Sequence, residues 1–143
     1  MENDTIELLK ECNAGVKTAV NSLKEVVERV QQQEMKEIIQ ESIEEHTKIG
    51  DKTHEKLNEY GASEKDPSPM ADAMSWLKIN VKYSIDPTDH EIASLMIDGC
   101  NMGIKSVSEY LNRYEKADNK VRRMVQDLIE LEKKLTDQLR VYL

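Results

Sequence analysis

At 143 residues the chain is the size of one ordinary domain, long enough to bury a continuous core. A net charge of −8 at pH 7 with no basic stripe argues against nucleic acid and anionic membranes as partners, because both are held by Lys/Arg patches. With 34% charged residues, one Trp and no Phe, the composition is that of a soluble helical protein.

The N-terminal MENDTIELLKE has neither a basic n-region nor a signal-length apolar run, and no stretch approaches the ~20 apolar residues of a membrane span. Cys12 and Cys100 stand 88 positions apart and no C-x-x-C occurs, so no disulfide framework is expected. The expected setting is a reduced cytoplasm.

In chain order, Asp4-Thr5-Ile6-Glu7 reads as a capping box, with Asp4 as N-cap and Glu7 at N3. Ile6, Leu9, Asn13, Val16, Val20, Leu23, Val27 and Val30 then recur at spacings of three and four, the seam of a bundle helix. A second helix starts near Glu34, carries Met35, Ile39, Ser42, His46, Ile49, Thr53 and Leu57 on one face, and stops at Tyr60-Gly61. Ser68-Pro69 opens a shorter helix to about Ser84, with Met70, Met74, Leu77 and Val81 on one stripe and Trp76, Ile79 and Tyr83 off it. Asp86-Pro87-Thr88-Asp89 starts a fourth, which carries Ala93, Ile97, Cys100, Ile104, Val107 and Leu111. After a tight connection at Ala117-Asp118, Val121, Met124, Leu128, Leu131, Leu135, Leu139 and Tyr142 mark the last helix. No strand pattern appears.

The chain repeats itself. ECNAGVKTAV (from Glu11) and GCNMGIKSVS (from Gly99) match at an offset of 88, which places Leu23 on Leu111. Beyond the hairpin turn the offset becomes 86, and Ile38–Ile49 matches Met124–Leu135, with His46 on Glu132. The organisation is one all-α domain, residues 1–143: hairpin one at about 4–60, a crossover at about 61–87 holding the extra short helix, and hairpin two at about 88–143. Two αα-hairpins joined by one long crossover are the ferritin-like wiring of a four-helix bundle.

Paired hairpins with an internal pseudo-two-fold resemble the ferritin/rubrerythrin superfamily. The Met-Ser-Trp-Leu helix at Met74 and the Gly-Ile-Lys phrase at Gly103 are similar to an uncharacterised bacterial family of ferritin-like bundles. Metal-binding members place a Glu on each of two helices and a Glu-x-x-His on each of the other two. That pattern is missing: Ile43 stands three before His46, and Asp51-x-x-His54 lies off the apolar face. Glu41, Glu44, Asp127 and Glu130 point away from the seam and read as solvated charges. The resemblance therefore implies the architecture without the usual diiron site.

Helical projection leaves few inward polar positions: Asn13, Asn101, His46 and Glu132, with Cys12 and Cys100 on the same faces. The plain reading is a buried hydrogen-bond network and, for the cysteines beside Gly15 and Gly103, close packing of the first helix on the one from Asp89. The sharper one is a transition-metal ion held by His46 and Glu132, joined by Cys12 and Cys100, ligand types that suit Zn²⁺. No phosphate-cradling glycine loop, nucleophile motif or catalytic group is present. Trp76, Ile79 and Tyr83 are candidates for a homodimer interface. The expected function is that of a non-enzymatic cytoplasmic interaction or scaffold protein without cofactor, the alternative being a metal-binding or stress-related bundle using His46 and Glu132.

Overall fold

The computed structural model describes residues 2–64 and 87–143. Four helices make it up: α1 (Glu2–Val27), α2 (Gln33–Glu59), α3 (Asp89–Arg113) and α4 (Asn119–Leu139), closed by a 3₁₀ turn at Arg140–Tyr142. No strand occurs among the described residues. The crossover helix expected from Pro69, with Trp76, Ile79 and Tyr83, lies outside them.

Topology follows from which ends meet. The Asp89 carboxylate, at the start of α3, accepts the Gln31 and Gln32 N–H groups of the α1–α2 turn at 2.8 and 2.9 Å. At the other end, the turn before α4 donates from Lys116 N–H to Asp4 and from Asp118 N–H to Thr5 Oγ1, at 3.1 and 2.8 Å. Thus α3 begins where α1 ends, and α2 and α3 run the same way. The end of α2 and the start of α3 therefore lie at opposite ends of the bundle, the 27 residues of α2 spanning roughly 40 Å. This is the ferritin-like wiring expected from the duplicated hairpins.

Local signals place most helix ends. Gly61 (φ 65°) closes α2 in a Schellman arrangement, with Gly61 N–H on Asn58 C=O and Ala62 N–H on Leu57 C=O. Thr88 caps α3 through Glu91 N–H, and Asp118 caps α4 through Lys120 N–H. The capping box at Asp4 is a correction. The helix already starts at Glu2, so Asp4 and Thr5 sit inside its first turn and spend their side chains on the α3–α4 turn instead. An acid there still suits the positive end of the helix dipole.

The seam residues pack into two apolar clusters. One holds Leu23, Val26, Met35, Ile39, Ile92, Met96, Cys100 and Leu135. The other holds Leu9, Cys12, Val16, Leu57, Val107, Leu111, Val121 and Leu128. Along α2 and α4 the residues between them include Ser42, His46 and Glu132, all buried. A polar layer therefore divides the core. Gly15 and Gly103 are buried as well. A close approach absent from the sequence reading is at Gly50, where a Cβ would stand 3.1 Å from Val16 Cγ1.

Candidate polar core site

His46 comes from the middle of α2 and Glu132 from α4, on facing stripes of antiparallel helices. Their Nε2 and Oε1 atoms are 2.6 Å apart, with side-chain exposures of 0% and 1%. On the other side of the ring, Nδ1 lies 2.7 Å from the Ser42 carbonyl and 3.2 Å from Ser42 Oγ. A carbonyl only accepts, so the Nδ1 contact requires a proton on that nitrogen. The Nε2–Oε1 contact requires a second proton between the two groups. The pair therefore carries one shared proton and no net charge, as imidazolium–carboxylate or as imidazole–carboxylic acid. Burial alone would lower the His46 pKa, but the hydrogen bond and charge of Glu132, with the Ser42 carbonyl, raise it above its ordinary value.

Cys100 joins from α3. Its thiol lies beside Glu132, and burial followed by the Glu132 charge pushes it well above its ordinary value. The order thiol–carboxylate–imidazole is the wrong one for a nucleophile, because activation needs the base against the sulfur. A cavity of about 10 Å³ beside Cys100 and Glu132 is about the size of one water probe, far too small for a substrate. Cys12 does not reach this layer. It packs in the other cluster, where burial pushes its thiol up to about 12. Among the described residues no three His, Cys, Asp or Glu side chains converge in a metal-binding geometry. Glu41, Glu44, Asp127 and Glu130 are exposed, as their helical phase predicts.

The two asparagines part company. Asn13 is buried, donating from Nδ2 to Thr53 Oγ1 at 3.1 Å and to Gly50 C=O at 3.4 Å. Asn101, expected in the core, is exposed. The cause lies on the partner helix. At the offset of 86, Gly50 and Thr53 become Thr136 and Leu139. Leu139 offers no polar atom, and the Thr136 hydroxyl is used on the Glu132 carbonyl. Asn101 has lost the hydroxyl that Asn13 finds at Thr53, and it turns to water.

Above Asn13 a groove of about 490 Å³ runs between α1 and α2, floored by Val16 and Val20. Glu64 bridges Lys17 and His54 at its mouth. The Asn13 Oδ1 atom is sealed beneath the floor with no hydrogen-bond partner, so the groove gains no inward-facing acceptor from it.

Sequence reasoning also missed Glu11. It is 3% exposed and sets its charge near the Tyr110 phenol, across α1 and α3. Burial and then the Glu11 charge push that phenol up to about 12. Glu11 aligns with Gly99 in the repeat, so the duplication gave no second copy to flag it.

No family model and no curated protein matches the chain. Among solved structures it is similar to Dps92 from Deinococcus radiodurans, with a TM-score of 0.77 at 15% identity, over 99% of this chain and 86% of that one. With α2 and α3 parallel and a long crossover between duplicated hairpins, this likeness shows that the chain has the ferritin-like four-helix-bundle fold.

Proposed function

We propose that the protein is a non-enzymatic bundle that works in the cytoplasm through protein contacts, as a scaffold or interaction partner, with a homodimer as its basic assembly. One observation carries this reading: the polar centre of the bundle is a closed His46–Glu132 pair, 0% and 1% exposed, with only a thiol beside it. Such a centre holds the helices in register and offers no room for a substrate. Met102 is the one large apolar residue exposed in the four described helices, and the contact surface of this reading is Trp76, Ile79 and Tyr83, which lie outside the described residues. No described helix is long and apolar enough to cross a membrane.

Two measurements test it. Light scattering should give a dimer for the wild type and a monomer for Trp76→Ala; a wild-type monomer at every concentration overturns the assembly. Ferrous iron should oxidise in its presence no faster than in buffer, and an accelerated rate overturns the non-enzymatic reading.

The competing reading is a metal ion at the pair. In its favour, Glu132 Oε2 is buried with no hydrogen-bond partner. His46 Nε2 and Glu132 would be two donors, short of the four of a structural zinc. Stoichiometric metal in protein purified without chelator, lost in His46→Leu, would establish it; less than a tenth of an equivalent would dismiss it.

A further inference from the structure

The two ends of the bundle are tied differently. Helix α4 has a cap of its own, Asp118, and receives Asp4 and Thr5 of α1 as additional acceptors. Helix α2 has none: its N-cap, Gln32, is extended (φ −75°, ψ 128°) but makes no side-chain capping bond. The first turns of helices leave N–H groups that need partners from outside the helix. Entering α2, the chain finds a partner for the N-cap N–H of Gln32, and one for Gln31 in the turn before it, on another hairpin. Asp89 Oδ1 takes Gln31 N–H and Oδ2 takes Gln32 N–H, 58 and 57 positions away. Both oxygens of one carboxylate are committed, and bonds to a charged acceptor are the stronger kind.

The residue is not a product of the duplication. At an offset of 88, Asp89 falls on Met1 and Asp4 on Ile92, so each end acquired its tie separately. Burial would raise the Asp89 pKa, but the Gln31 and Gln32 N–H groups and the Lys36 charge hold it below its usual range. The Tyr142 phenol, raised by burial, by Glu34 and by Asp89, marks the same end.

We infer that Asp89 is a cap supplied in trans, which makes order in the α1–α2 turn conditional on the seating of α3. A partner that lifts the start of α3 would then release residues 31–36, while the opposite end, with its own cap, stays closed. The coupling is one-sided: the turn of hairpin one depends on hairpin two more than the reverse.

Amide hydrogen exchange under native conditions tests this on the full chain, with the slow amides near Leu128 reporting global unfolding. In Asp89→Ala, amides of residues 31–36 should exchange roughly tenfold faster, the scale of a lost helix cap, with those of residues 114–122 unchanged. Asp89→Asn, which keeps one acceptor oxygen, should lie between. Asp4→Ala should affect only residues 114–122, and less. Unchanged exchange at 31–36 in Asp89→Ala, or acceleration spread evenly over both ends, overturns the inference.

Discussion

Hairpin one and hairpin two share one sequence pattern and the same pair of helices, yet they solve their interhelical contact differently. In hairpin one, Gly50 lets α1 approach until a Cβ would stand tight against Val16, and Asn13 reaches across to Thr53 and the Gly50 carbonyl. In hairpin two, Thr136 occupies the equivalent place and Asn101 faces water. Two exchanges, Gly50 for Thr136 and Thr53 for Leu139, thus accompany the change of a repeated Asn from a core group to a surface one. What the hairpins share is the polar layer, where His46 of one meets its own counterpart, Glu132, of the other.

Breaking the shared element should cost most. His46→Leu leaves the Glu132 charge buried and unpaired, a change worth about 3–5 kcal/mol, and His46→Leu with Glu132→Leu should recover most of it in urea unfolding. Recovery of nothing would mean that the pair is needed for more than its own neutrality. Making hairpin one resemble hairpin two comes next. Gly50→Thr should cost about 1–3 kcal/mol through overpacking, with Val16→Ala relieving part of it. The reverse change, Thr136→Gly, should cost only about 1 kcal/mol of helix propensity. If Val16→Ala does not relieve the first, the close approach is not what Gly50 provides. Asn13→Ala should cost about 1 kcal/mol, whereas Asn101→Ala should stay within about 0.5 kcal/mol; equal values would erase the contrast between the hairpins.

The gentlest test moves a proton. The folded-state pKa of His46 lies above its ordinary 6.5, because Glu132 and the Ser42 carbonyl outweigh burial. Its contribution to stability is therefore complete below about pH 6.5 and is lost as pH rises through the raised folded value. Melting temperatures of the wild type and His46→Gln should converge across that window. A gap that stays constant would show that the pair does not titrate on unfolding.

The helices were legible because three- and four-residue spacing is a property of one chain segment: Met35 to Leu57 were assigned to a buried face, and all but Ile49, which is half-buried, are buried. The His46–Glu132 contact was legible because the repeat supplied the second residue. Asn101 was misread because the same projection cannot see that Thr136 stands opposite it. Asp4 was misread for a related reason: an acid near a helix start looks like a cap, and only the assembled bundle shows that the α3–α4 turn takes it. Glu11 had no signal at all, its partner Tyr110 being on another helix and its repeat counterpart a glycine. Local periodicity survives in a sequence, whereas the identity of the facing residue does not.

The repeated cysteines give the molecule a pair of internal clocks. Cys12 and Cys100 are sealed at 2% and 3% exposure, each in a different apolar cluster, and both thiols are held in the unreactive protonated form. A thiol reagent can therefore reach either only when its half of the core opens. Its rate at each sulfur, followed separately in Cys12→Ala and Cys100→Ala, reads out whether the two halves of the bundle breathe together or one at a time.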